Sequence, residues 1–322
     1  MQRFKQIAVT GLISAKQSAK SHKKMPKGAM KFSAISLVTI LLGCGGGSGS
    51  NEVPTETVQQ QPCGELKSGE QCLTLNNRNF LLLSPSVKQP QPGIMLAFYG
   101  SPPSYGTPRK LESFLALQQY ANDNNMLIAM PIGGPDWAWD SEVTAFGQSK
   151  DTALSLAIID KLVAEYQANN TKVAALGFSA GAMMAYQLAC SVPNRVKAAF
   201  AISGQLRGDL NACNPTLPVV VHHLHGSKDT DMPIDGRTTV SGNVINSLDG
   251  TIARFRRING CAENAIDSEP FALTANQTAV SKAYQGCLKA TGFTLLKDGI
   301  HHPDYQKAEL HRLMKQTLNL AF

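Results

Sequence analysis

Seven short apolar runs, at 80–83, 94–99, 126–130, 172–176, 196–202, 218–224 and 292–296, alternate with segments of helical pattern at 111–122, 151–168, 180–191, 248–258 and 305–318. Runs such as Ile94-Met95-Leu96-Ala97-Phe98 are apolar at every residue rather than every second one. That pattern suits a strand whose two sheet faces are both covered. Strands of this kind alternating with helices predict a mostly parallel, doubly wound α/β sheet with helices on both faces. Such sheets hold their sites beyond the carboxyl ends of the strands. The residues that follow each run are therefore the first candidates for function.

The formal net charge of +7 suggests an acidic partner until its location is considered. Residues 1–43 contain eight Lys/Arg and no Asp or Glu, and taking these eight from +7 leaves the remainder at −1. A nearly neutral folding region removes the electrostatic basis for nucleic-acid binding. The basic start is followed by an apolar run of about 11 residues, too short to span a bilayer comfortably, as in a secretory signal. It ends in Leu41-Leu42-Gly43-Cys44, which resembles a bacterial lipobox. Residues 1–44 are expected to be a signal peptide whose Cys44 is lipidated, and 45–62, rich in Gly, Ser, Pro and Gln, a flexible linker. Residues 63–322 are expected to form one catalytic domain, exported and tied to a membrane only through the lipid at Cys44.

Six cysteines remain: Cys63, Cys72, Cys190, Cys213, Cys261 and Cys287. An even number in an exported chain favours disulfides, and pairing of sequence neighbours (63–72, 190–213, 261–287) is the economical choice. No Cys-x-x-Cys pair is present, and His222, His223 and His225 have no carboxylate or thiol at ligand spacing, so no metal is expected.

The run 172–176 leads into Gly177-Phe178-Ser179-Ala180-Gly181 and then a helical segment. A Gly-x-Ser-x-Gly pattern by itself occurs by chance. Between a strand and a helix it makes a sharp turn that lifts the serine above the sheet, with the helix N–H groups aimed at it. Serine needs a base, usually a histidine held by a carboxylate. Both follow in chain order: Asp229, with Asp231 as the alternative, after the run 218–224, and His301, preferred to His302, after the run 292–296. Oxyanion donors are expected from the N–H groups of Ala180 and of Ser101, with Gly100 the alternative in that segment because Pro102 and Pro103 have none. Tyr99, Trp137, Trp139 and His302 also follow strands and are weaker candidates for a substrate pocket.

With these residues in place, the chain resembles the α/β-hydrolase family of secreted polyhydroxybutyrate depolymerases and their feruloyl and acetylxylan esterase relatives. The likeness covers about residues 63–310. It rests on the elbow GFSAGAMMAYQLAC, on HGSKDTDMP, and on Asn259-Gly260-Cys261 with Cys287 ahead of the last histidine loop. Cys190 and Cys213 fall where the family often has a disulfide. The resemblance implies an α/β-hydrolase fold, a triad of Ser179, Asp229 and His301, no cofactor, and an ester substrate, either a polyester oligomer or a plant-polymer ester. It also has departures. Tyr99-Gly100 stands where the family has His-Gly, and Gly299-Ile300-His301-His302-Pro303 lacks the usual Trp. A non-catalytic surface lipoprotein on the same fold is the competing expectation from another class.

Overall fold

The continuous apolar runs form the centre of one large sheet in the computed structural model, which describes residues 63–322 except 88, 103–105, 134–138, 144–148 and 241. The signal segment with Cys44, the linker 45–62, Pro103 and Trp137 lie outside the described residues. The strands are β1 (Glu70–Leu75), β2 (Arg78–Leu83), β3 (Gly93–Phe98), β4 (Met126–Pro131), β5 (Val173–Phe178), β6 (Ala198–Ile202) and β7 (Val220–Gly226). They continue with β8 (Arg237–Thr238), β9 (Val244–Ile245), β10 (Ala265–Asp267), β11 (Phe271–Ala272), β12 (Thr278–Tyr284) and β13 (Thr291–Leu296). The helices are α1 (Pro108–Leu115), α2 (Leu117–Asn124), α3 (Lys150–Tyr166), α4 (Ala180–Ser191), α5 (Leu248–Ile258) and α6 (Lys307–Asn319).

The sheet order is β1-β2-β4-β3-β5-β6-β7-β13-β12-β10, with β11 paired to β12. From β4 to β13 every neighbouring pair is parallel. The outer pairs are antiparallel. Helices cover both faces, so every residue of β3, β4, β5 and β6 is buried. Each fully buried Leu, Ile, Phe or Met there contributes about 1.5–3 kcal/mol of apolar burial. This dense centre is what holds the strand ends, and the loops leaving them, in fixed positions.

The antiparallel margins differ from the sequence reading. In β1, EQCLTL mixes charged and apolar residues, and β8 to β11 have only two or three residues each, so none gives an apolar run. β1 and β2 are joined through Asn76 and Asn77, both at positive φ (51° and 58°), as a tight two-residue hairpin requires. The helix expected over 111–122 is two helices. Ala116 sits at φ 50°, ending α1 with its N–H on the Glu112 carbonyl, and α2 starts on the next residue. Nothing in the local sequence marks this break. It lets Leu111 and Leu115 on α1 and Leu117 and Tyr120 on α2 all be buried.

Candidate active site

Ser179 occupies a backbone conformation that L-residues rarely adopt, φ 55° and ψ −121°, between the last residue of β5 and the first of α4. Strain of this kind costs about 1–3 kcal/mol and persists only where the surroundings enforce it. Here glycines enforce it. A Cβ on Gly177 would collide with the Gly181 carbonyl oxygen, and one on Gly181 with the carbonyl oxygen of Phe98 on β3. A third glycine, Gly204 after β6, lies against the Ser179 carbonyl oxygen and has no room for a Cβ either. The sequence reading missed Gly204, because its requirement comes from a neighbour 25 positions earlier in the chain. The Ser179 N–H donates to the Ile202 carbonyl at 2.8 Å, tying the elbow to the end of β6.

Asp229 and His301 leave the neighbouring parallel strands β7 and β13, and their loops are stitched together. Ser227 N–H donates to the Leu296 carbonyl (3.0 Å), Lys228 N–H to the Gly299 carbonyl (2.8 Å), and Asp298 N–H to the Ser227 hydroxyl (2.8 Å). Gly226 faces the Gly299 carbonyl too closely for any side chain. The result is a hydrogen bond from His301 Nδ1 to Asp229 Oδ2 at 2.7 Å, with both residues 5% exposed. Asp229 Oδ1 accepts from the Met232 N–H at 2.7 Å, and His225 Nε2 lies 3.3 Å from Oδ2. Burial alone would raise the Asp229 carboxyl. The hydrogen bonds from His225, His301 and Met232 outweigh it and hold the carboxyl well below the usual range. Asp231, the alternative acid, is exposed and has no part in this contact.

Ser179, Ala180, His301 and Ser101 border one cleft of about 480 Å³. Ala180 is the first residue of α4, where backbone N–H groups have no partner within the helix. Trp139 lines the same cleft while remaining 3% exposed, its Nε1 donating to the Tyr99 carbonyl at 2.8 Å. Two weaker candidates lie away from this cleft. Tyr99 is fully buried, packs on Trp139 and accepts the Gly133 N–H on its hydroxyl at 2.6 Å, so it offers no surface to a substrate. His302 stacks on Phe114, ring centroids 3.8 Å apart, and borders a separate cleft of about 380 Å³ with Phe178 and Arg109.

The cysteines pair as sequence neighbours: Cys63–Cys72, Cys190–Cys213 and Cys261–Cys287. No cluster of His, Cys, Asp or Glu suited to a metal occurs among the described residues. His223 and His225 are buried and hydrogen-bonded to one another at 2.8 Å.

Comparison with known proteins finds esterases among the similar chains. The phospholipase/carboxylesterase family profile matches residues 119–261. A probable feruloyl esterase C of Aspergillus terreus is 25% identical over 273 residues, covering 82% of this chain and 89% of that protein. A bifunctional acetylxylan esterase/xylanase of Neocallimastix patriciarum is 27% identical over 153 residues, covering 47% of this chain and 21% of that protein. Among solved structures, an acetyl xylan esterase from Aspergillus awamori superposes with a TM-score of 0.58 at 14% identity, over 78% of this chain and 99% of that one. The fold is that of the α/β-hydrolases.

Proposed function

We propose that this chain, a serine carboxylic-ester hydrolase by its fold and its relatives, is an exported esterase that removes small acyl groups such as acetyl or feruloyl from a carbohydrate. Ser179 is the nucleophile, His301 the base and acid, and Asp229 the group that orients His301. The observation that carries this reading is the 2.7 Å contact from His301 to Asp229 at the cleft into which the strained Ser179 elbow opens.

His301 takes the Ser179 proton as the oxygen attacks the ester carbonyl. The N–H groups of Ala180 and Ser101 stabilise the resulting oxyanion. The proton passes to the departing alcohol, leaving an acyl group on Ser179. Water, deprotonated by His301, then releases the acid and restores the serine.

The cleft supports a polar, compact substrate. Its walls combine Met183 and Ile245 with Arg207, Arg237 and Asn243, polar groups able to bind sugar hydroxyls beside an apolar patch. Feruloyl and acetylxylan esterases are also what the curated relatives are named for. The polyhydroxybutyrate reading rests on the elbow and the HGSKDTDMP segment. Export is supported by the basic, apolar N-terminal segment and three disulfides. The reading places a lipid on Cys44 and one catalytic domain over 63–322.

The test is a single panel of methyl ferulate, acetylated xylan, poly(3-hydroxybutyrate) oligomers and p-nitrophenyl esters of rising chain length. Turnover of the first two above the rest, lost in Ser179→Ala, is expected. A preference for the polyester oligomers would replace the carbohydrate reading, and no turnover of any ester would favour a non-catalytic role.

A further inference from the structure

We propose that a buried file of Tyr186, His223 and His225 positions Asp229 from behind. Its members are not catalytic residues; they act through Asp229, and the inference rests on the Ser179–His301–Asp229 reading above. The Tyr186 hydroxyl is 2.7 Å from His223 Nδ1, His223 Nε2 is 2.8 Å from His225 Nδ1, and His225 Nε2 is 2.8 Å from the Met232 carbonyl oxygen and 3.3 Å from Asp229 Oδ2. The file thus runs from α4 along the end of β7 to the carboxylate that holds His301.

Its direction follows from the ends. A carbonyl oxygen and a carboxylate only accept, so His225 Nε2 carries a hydrogen. With both rings neutral, His225 Nδ1 then accepts, His223 Nε2 donates, His223 Nδ1 accepts, and the Tyr186 hydroxyl must donate. Burial favours the neutral His223 and Tyr186: it holds the His223 ring well below the ordinary histidine range and pushes the Tyr186 hydroxyl far above the ordinary tyrosine range. Every ring nitrogen in the file is satisfied, and His223, His225 and Tyr186 are all fully buried.

The consequence lies at Asp229. Oδ2 accepts from His301 and has His225 Nε2 at 3.3 Å, the hydrogen of that nitrogen being shared with the Met232 carbonyl at 2.8 Å, and Oδ1 accepts from the Met232 N–H, so rotation of the carboxylate forfeits all three contacts. The titratable groups near Asp229 are His223, His225, His301 and Tyr305, those near His225 are His223 and Asp229, and His302 lies near His301. Among the described residues no Lys or Arg is paired with Asp229. The His225 donor therefore does two things. It fixes the plane of the carboxylate, and it withdraws charge from the oxygen that accepts from His301.

The test compares His225→Leu, His225→Gln and Tyr186→Phe in the full chain, reading kcat, KM and the pH profile of kcat/KM on p-nitrophenyl acetate. His225→Leu is expected to lower kcat about 10- to 100-fold, the scale of a misplaced catalytic group, with KM nearly unchanged. Oδ2, freed of one donor, holds protonated His301 more strongly, so the acid limb of kcat/KM moves up by roughly half a pH unit. His225→Gln, whose amide N–H can replace Nε2–H, restores both kcat and limb. Tyr186→Phe keeps the ring and its packing, so it reports the same coupling if the Leu variant fails to fold, and shifts the limb in the same direction by less. Wild-type kcat and limb in His225→Leu would overturn the proposal. So would a Gln variant no better than Leu, or, if His225→Leu does not fold, an unmoved limb in Tyr186→Phe. Turnover retained in Ser179→Ala or His301→Ala would instead overturn the underlying triad.

Discussion

Oδ2 of Asp229 accepts a hydrogen bond from Nδ1 of His301 at 2.7 Å, although 72 residues separate the two in the chain. Because the carboxylate only accepts, Nδ1 bears the hydrogen and Nε2 is the basic nitrogen of the ring. Asp229→Asn presents an amide to the same ring and favours the opposite tautomer, with the hydrogen on Nε2. The expected outcome is a fall in kcat of about 10³- to 10⁴-fold with circular dichroism like the wild type. An Asn variant retaining more than a tenth of wild-type kcat would contradict the role given to Asp229.

The adjacent histidines should separate cleanly. His301→Ala is expected to remove at least about 10³-fold of kcat/KM. His302→Ala, which removes a ring stacked on Phe114 beside a different cleft, should change it by no more than about threefold. Equal losses in the two variants, measured on one chromogenic ester, would count against this assignment.

Gly204 has no polar group to lose, yet Gly204→Ala should be costly. The added Cβ meets the Ser179 carbonyl oxygen inside a packed centre, and overpacking of this sort destabilises by about 1–3 kcal/mol. A lowered melting temperature together with reduced kcat is expected, because relief of the clash moves the elbow. A variant melting and turning over like the wild type would show that the elbow tolerates displacement.

These positions also mark what the sequence made legible. The central strands could be placed because burial on both faces leaves continuous apolar runs, as in Ile94 to Phe98. Ser179, Asp229 and His301 could be nominated because the fold presents strand ends and each of the three follows one. The short, mixed strands β1 and β8 to β11 draw their stability from partners rather than from their own pattern, so they left no signal. The break at Ala116, the tight fit of Gly204 and the inward turn of Tyr99 have the same origin. Each is dictated by a neighbour distant in sequence. The file from Tyr186 through His223 and His225 to Asp229 likewise joins residues on separate elements, and the sequence shows only its histidines.

Glu70 gives stability a dependence on acid. Burial alone would raise its carboxyl. Arg109, which holds both oxygens at 2.5 Å, and the Lys67 N–H bring it below its ordinary value. A carboxyl depressed in the folded state stabilises the protein above the unfolded glutamate range, about pH 4.3. That contribution is lost as pH falls through the folded value. Glu70→Gln should therefore melt at a lower temperature than the wild type at pH 7, with the difference shrinking toward pH 3. A difference that stays constant over that range would contradict the ion pair as its source.

The central claim is that Ser179 carries the acyl group. It is tested most directly by treating the protein with a fluorophosphonate or a slowly deacylating p-nitrophenyl ester, then locating the adduct by peptide mass spectrometry. The expected result is one adduct per chain on Ser179, absent from Ser179→Ala, with ester turnover lost in parallel. An adduct on another residue, or turnover persisting in Ser179→Ala, would contradict it.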